Sequence, residues 1–345
     1  MKSARLIGLA ALALSAPAVA QVTLNASSWL PPAHALTSAM LLPLCQDIAK
    51  VTSGRVKCNV LPKHPVAPPQ TFDAVRDGVF DLSFATHGFN PGRFPLTELV
   101  EMPFMGDTAE ATSVAYQRIF ERFLAKYDEQ KGVVPISMFT HGPGVIYTTK
   151  RPINELKDLQ GLKFRVGGGT VSDIMTALGT VPMLKPPSEA YELLSSGVAD
   201  GVVLPKESPG TFKLISLIKY TTLVPGGLYS QSFAWILNTA KWNAIPPADR
   251  KLIEPLFGEA MARRSGRAWD TADEKGLAAT RAANIQVITA GPKFVAEIRA
   301  RTEPLEKAWI ENKAKPKGVD GAAVLKALRD EIAKVTKEDK LGGIR

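Results

Sequence analysis

The residue with the most specific chemistry lies in the run Leu162-Lys163-Phe164-Arg165-Val166. Side chains alternate across a strand, so Lys163 and Arg165 share one side while Leu162, Phe164 and Val166 take the other. With the apolar side on a core, Arg165 at the strand's end points into whatever cavity lies above it. A planar guanidinium makes two parallel charged hydrogen bonds to a carboxylate, so the chemistry on offer is capture of an organic acid. The plainer alternative is a surface arginine in a salt bridge, since arginines are mostly exposed.

The other chemistry-bearing residues are less organised. The four histidines, His34, His64, His87 and His141, show no short metal-ligand spacing, and no metal or other cofactor is expected. No Gly-x-Ser-x-Gly elbow occurs, and neither Cys45 nor Cys58 has a recognisable nucleophile context, so turnover is not expected. Gly167-Gly168-Gly169 follows a strand and precedes a helix, as a phosphate loop would, yet lacks the Gly-Lys-Ser/Thr ending and the dinucleotide spacing. Backbone N–H groups at that helix start can still face an anion. Cys45 in a helix and Cys58 in the following strand are either bridged or two buried thiols, because spacing alone does not fix their Cα separation.

The elements that must position these groups read as alternating strands and helices. Val22 to Ala26, Arg55 to Val60, Asp81 to Ala85 and Val133 to Phe139 have strand character. Helix patterns occupy Ala33 to Val51, Gln70 to Asp77 and Glu110 to Gln130, and this order implies a parallel sheet covered by helices. A second α/β unit begins near Val145, with strands at Lys163 to Val166, Pro182 to Leu184 and Gly201 to Leu204 and helices at Thr170 to Leu178, Ser188 to Ser195 and Pro209 to Leu217. Ser230 to Leu237 is a long strand placed where the chain returns to the first unit. Leu252, Ile253, Leu256, Phe257, Ala260 and Met261 start an apolar helical stripe running toward Ala283, which Pro255 should kink or restart. Two α/β lobes with the chain crossing between them make a hinged cleft, and ligands in such folds sit at the carboxyl ends of strands.

The N-terminus sets the compartment. Lys2 and Arg5 precede the apolar run Leu6 to Leu14, Pro17 breaks it, and Ala18-Val19-Ala20 offers a small-x-small cleavage pattern, so residues 1–20 read as an export signal and Gln21 as the mature start. No later stretch approaches the roughly 20 apolar residues of a membrane span. Length suits two domains rather than one core. The net charge of +9 comes partly from that signal and partly from a Lys-rich C-terminal region. With export, this argues against a nucleic-acid partner and for a solvated basic face, whose field can attract an anion.

Gly161-Leu162-Lys163-Phe164-Arg165-Val166, Ala177-Leu178-Gly179, Pro187-Ser188-Glu189-Ala190-Tyr191 and Gly197-Val198-Ala199-Asp200-Gly201, in this order and spacing, closely resemble the TRAP transporter solute-binding proteins of the DctP type. Gly54-Arg55-Val56 through Leu61-Pro62, Asp77-Gly78-Val79-Phe80-Asp81 and Met102-Pro103-Phe104 are similar as well. The resemblance implies a two-lobed periplasmic-binding-protein fold with hinge strands and a long hinge-spanning helix. It places residues 21–144 with roughly 229–250 in the first lobe and 145–228 in the second. Residues 251–345 then supply the long helix and C-terminal helices packed across both. It further implies a periplasmic monomer that delivers its ligand to the membrane permease subunits of an ion-driven transporter, with Arg165 holding the carboxylate.

Departures from the pattern bear on the ligand. Sugar-acid and sialic-acid binders carry a further arginine just before the Thr-Thr that matches Thr148-Thr149, where this chain has Val145-Ile146-Tyr147. They also carry an asparagine after the Asp-Gly, where this chain reads Val202-Val203-Leu204-Pro205. An apolar wall at Val145 and Leu204 leaves buried hydroxyls unsatisfied at about 1–3 kcal/mol each. The expected ligand is therefore an apolar or aromatic monocarboxylate, such as a mandelate- or benzoylformate-like 2-hydroxy or 2-oxo acid or a branched 2-oxo acid. Trp29 ends the first strand, and His87, Gly88 and Phe89 follow another, so these should overlook the cleft. Trp29 or Phe89 can stack on a ring, and His87 or His141 can donate to a 2-oxo or 2-hydroxy group; each has a core role as its alternative. Gly226 and Tyr229 lie at the return to the first lobe, near the pocket the resemblance implies, whereas Phe233 and Trp235 are expected in the core. The competing readings are an exported enzyme on organic acids, a sensor component, a sugar-acid or dicarboxylate binder of the same fold, and a tricarboxylate-type binding protein.

Overall fold

The computed structural model describes residues 21–342, so the expected export signal at 1–20 lies outside the described residues. Among the described residues, eleven strands form two sheets. In chain order they are β1 (Val22–Ala26), β2 (Val56–Val60), β3 (Leu82–Thr86), β4 (Val133–Thr140), β5 (Val145–Thr148), β6 (Lys163–Val166), β7 (Val181–Leu184), β8 (Gly201–Leu204), β9 (Tyr220–Leu223), β10 (Ser232–Asn238) and β11 (Gln286–Thr289). The first sheet has the order β2-β1-β3-β10-β4, and the second β11-β9-β5-β8-β6-β7. In the first, β1 runs parallel to β2 and β3, while β10 enters antiparallel between β3 and β4. The chain passes between the sheets after β4, again between β9 and β10, and along the helix Glu259–Ala282, which leads from the first lobe into β11.

Alternation explains β6, which lies next to the edge of the second sheet. Phe164 and Val166 are fully buried in an apolar cluster with Val171, Ile174, Met175 and Leu178 of the next helix, while Lys163 is exposed. Arg165, on the other face, is buried as well, at 2% exposure. Burying a charged side chain that completely demands compensation, and that demand marks the site.

Several elements depart from the expected pattern for local reasons. The helix at Ala33 to Val51 opens as a wide turn, Leu36–Leu41, before the regular helix Leu42–Val51, whose first turn contains Pro43. Pro43 has no N–H to give the ladder. The expected helix Pro209 to Leu217 shrinks to Ser208–Thr211, and the chain continues in turns through Lys213 at φ 59. Strands β5, β9 and β11 are not among those expected; β11 is a short edge strand whose residues are exposed or half-buried, with no alternation to read. It also places part of the segment expected to be helical in the second sheet. Pro255 does interrupt its helix: Pro247–Ile253 passes into the tight turn Glu254–Leu256, and the long helix restarts at Glu259 after Gly258 at φ 58.

That long helix is close-fitted at two glycines. A Cβ on Gly266 would meet the Glu110 backbone N at 2.6 Å and the Ala109 carbonyl oxygen at 2.7 Å. One on Gly276 would meet the Glu207 backbone N at 2.8 Å and crowd the Lys206 carbonyl. Ten residues and about 15 Å apart along the axis, they let one rod lie against backbone from each lobe.

Cys45 and Cys58 are joined in a disulfide with a Cα separation of 5.5 Å, tying the first helix to β2. A crosslink over a 13-residue separation restricts the unfolded chain by about 3 kcal/mol in the chain-entropy account. Reduction, or the C45A/C58A double variant, should therefore lower the calorimetric melting temperature by several degrees; an unchanged value would show that the native state gains nothing from the bond.

Candidate functional site

Between the sheets lies a small cavity walled by residues of both lobes. Arg165 forms part of its wall. Its Nε donates to the Lys185 carbonyl at 2.8 Å and its Nη1 to the Val203 carbonyl at 3.5 Å, which fixes the guanidinium plane. Nη2 has no hydrogen-bond partner among the described residues, and no carboxylate stands within ion-pair distance of the group among them. Burial pulls its pKa down to about 10, against the nearby Tyr229 and Glu189, so it stays charged at neutral pH. A buried, charged fork with free N–H groups is built to receive an anion.

The wall around it is largely aromatic. Trp29, Phe89, His141, Leu204 and Tyr229, all expected at the site, line this cavity with Arg165. Trp29 packs against Phe89 with ring centroids 6.0 Å apart and against Phe84 at 5.3 Å, and His141 meets Tyr229 edge-on at 5.4 Å. His141 is fully buried, and burial lowers its pKa to about 4. Its Nδ1 lies in hydrogen-bond contact with the Gly142 carbonyl oxygen, which can only accept, so Nδ1 carries the proton and Nε2 the lone pair.

Four expected residues are not brought to the wall. His87 turns into the first lobe, where its Nδ1 meets Ser232 Oγ at 2.8 Å, its Nε2 meets the Gln130 side chain at 3.0 Å and its ring packs on Phe94 at 4.3 Å. Burial lowers its pKa to about 3, so it is a neutral, satisfied core histidine. Gly88 lies where the lobes touch: a Cβ there would stand 2.9 Å from the Gly168 carbonyl oxygen. Val145 pairs with Leu204 across β5 and β8 and packs into the second-lobe core with Tyr147 and Val202. Gly226 donates its N–H to Asp107 at 2.8 Å in a turn against Phe104, away from the cavity.

The structure adds residues that the local pattern did not single out. Phe233, expected in the core, lines the cavity at the mouth end of β10, while Trp235 two positions on is fully buried and donates to Ser265 at 3.1 Å. Trp269 of the long helix and His34 of the first lobe form a T-shaped pair 5.3 Å apart on the same wall. His34 Nε2 faces Glu207 Oε1 of the second lobe at 3.6 Å. Burial pushes Glu207 up, but His34, Ser208 and Thr211 bring it below the ordinary carboxylate value. Gln231 also lines the cavity, and its amide Nε2 donates to Glu101 at 2.8 Å. Glu101, at 1% exposure, accepts in addition from the backbone N–H of Ser232 and of Thr170, each at 2.9 Å. The Gly167-Gly168-Gly169 turn does face an acid: the Thr170 N–H that follows it is taken by this side chain, whose pKa burial pushes up to about 7. Glu101 and Gln231 are about 130 residues apart in sequence, which no local pattern reports.

Two α/β lobes joined by crossing segments and a long shared helix, with an aromatic cavity and one charged fork between them, make the architecture of a solute-binding protein. The chain's similarities agree. Residues 26–313 match the family model DctP, described as bacterial extracellular solute-binding protein, family 7. A crystal structure of a TRAP periplasmic solute-binding protein from Bordetella bronchiseptica, with bound (R)- and (S)-mandelate, superposes at a TM-score of 0.88. It is 44% identical, over 91% of this chain and 99% of that one. A marine-metagenome TRAP solute-binding protein specific for aromatic acid ligands, co-crystallised with 3-hydroxybenzoate, is 33% identical at a TM-score of 0.86 over 91% of this chain and 99% of that one. The Outer membrane transporter protein TsaT of Comamonas testosteroni is 31% identical over 96% of this chain and 99% of its own length. The chain belongs to the DctP family of TRAP-transporter solute-binding proteins, a periplasmic family whose members bind small organic acids and work with membrane components.

Proposed function

We propose that this chain captures an apolar or aromatic monocarboxylate in the periplasm, as a monomer freed of residues 1–20, and delivers it without turnover to the permease subunits of a TRAP transporter. The observation that carries this reading is the fully buried, charged Arg165 with a free Nη2 in an aromatic cavity. Arg165 takes the carboxylate. Trp29, Phe89, Tyr229 and Phe233 cover the body, and Leu204 offers hydroxyls nothing to bond. Support comes from the relatives that hold mandelate and 3-hydroxybenzoate at 44% and 33% identity. A thermal-shift screen against small carboxylates tests it. Ligand at 100 times its dissociation constant adds about 2.7 kcal/mol, a shift of several degrees at this size. Aromatic and branched monocarboxylates should raise the melting temperature and sugar acids or dicarboxylates should not; the reverse order would discard this ligand class.

A further inference from the structure

The cavity beside Arg165 has a hydrogen-bond polarity that separates two acids of the same skeleton. The Gln231 amide has a chemically fixed orientation: its Nε2 lies 2.8 Å from Glu101 Oε1 and 3.4 Å from the Gly168 carbonyl oxygen. The carbonyl only accepts, and so does Glu101 in its charged form, although burial pushes its pKa up to about 7; the NH2 therefore faces them and Oε1 faces away. Oε1 flanks Gly167, 2.8 Å from where a Cβ on that residue would stand, and Arg165 Nη2 is 3.8 Å from the same point. Gly167 lines the cavity, and having no side chain it lets Gln231 Oε1 and Arg165 Nη2 approach the same point. An acceptor fixed by Glu101 therefore stands next to the free end of the carboxylate-binding fork. A second acceptor, His141 Nε2, belongs to the same wall, because Nδ1–H is committed to the Gly142 carbonyl.

Resting on the reading of the site given above, we propose that this protein selects 2-hydroxy acids over the corresponding 2-oxo acids, and that Glu101 is the positioning residue that sets this selectivity by holding the Gln231 amide. With the carboxylate on Arg165, the substituent on the neighbouring carbon falls beside the fork, within reach of Gln231 Oε1. A hydroxyl donates to that oxygen or to His141 Nε2. An oxo group only accepts, and it would set lone pairs against both. The wall also carries donors whose buried atoms lack protein partners among the described residues, namely Trp29 Nε1, Trp269 Nε1 and Thr86 Oγ1. These donors suit a hydroxyl and an oxo group alike and can serve the carboxylate's second oxygen, so the discrimination rests on Gln231 Oε1 and His141 Nε2.

Titration calorimetry with mandelate and benzoylformate, which share a carbon skeleton, tests this on the wild-type chain and on E101Q, Q231A and R165M. The wild type should bind mandelate at least about tenfold more tightly, which is about 1.4 kcal/mol. Glu101→Gln can donate to Gln231 and lets the amide turn over, so the ratio should fall to about one or below. Gln231→Ala should lower it too, and this variant decides the matter if E101Q does not fold. Arg165→Met should weaken both acids. Equal or tighter binding of benzoylformate by the wild type overturns the selectivity, and an unchanged ratio in E101Q and Q231A overturns the role of Glu101. If the wild type binds neither acid but does bind dicarboxylates or sugar acids, the proposed function is wrong and the selectivity falls with it.

Discussion

Arg165→Met should weaken binding of an aromatic monocarboxylate by two to three orders of magnitude while leaving the unliganded protein folded, with a melting temperature changed by only a few degrees. The two effects separate because the guanidinium plays different parts with and without ligand. Without it, the charge is fully buried and held by two carbonyl oxygens alone, so its desolvation is poorly compensated. Replacing such a buried charge with an apolar group of similar volume is often neutral or stabilising. The loss of hydrogen bonds to Lys185 and Val203 works the other way, and the two contributions offset. With ligand, removing one partner of a buried charged pair strands the other, at about 2–5 kcal/mol, which corresponds to the expected loss of affinity. Calorimetric binding and melting of the same preparation check both halves. Affinity retained within about threefold would mean that the carboxylate is held elsewhere.

Gly266→Ala and Gly276→Ala should each lower the melting temperature by several degrees, although both sit inside a helix where alanine is normally preferred. Alanine favours an exposed helix interior by about 1 kcal/mol over glycine. Here the added methyl meets backbone of Glu110 and Ala109 in one case and of Lys206 and Glu207 in the other, and backbone cannot swing aside as a side chain can. Overpacking of that kind costs about 1–3 kcal/mol or more, so the clash outweighs the propensity. The two variants should differ in binding. The segment that Gly276 touches carries Glu207, which lines the cavity, so G276A should lose affinity as well as stability; Gly266 meets the first lobe away from the cavity, so G266A should keep its affinity. Differential scanning and titration calorimetry decide it, and a raised melting temperature for either would show that the helix has room.

What was legible in the sequence followed periodicity. Alternation in β6 puts Phe164 and Val166 in the core and Arg165 on the other face, and Trp29 and Phe89, which follow the strands β1 and β3, overlook the cleft as their positions imply. Adjacent positions that read alike diverged in the tight turn His87–Phe89: Phe89 reaches the cavity, whereas His87 rotates into Ser232 and Gln130. Edge strand β11 and the turns after Ser208 carried no period to detect. Glu101, Gln231, His34 and Glu207 owe their places to contacts between distant segments, and only the fold brings them together.

The carboxylate at the start of the helix Thr170–Ala177 has a bearing on which metabolites the protein ignores. A glycine-rich turn opening a helix ordinarily draws phosphate. Here the Thr170 N–H already belongs to Glu101, and a phosphoryl group brought to that turn would meet a buried acid instead of a free amide. Phosphorylated acids should find no free Thr170 amide at the spot where their extra group would otherwise be welcomed, and above about pH 7, where Glu101 is charged, they should meet like charge as well.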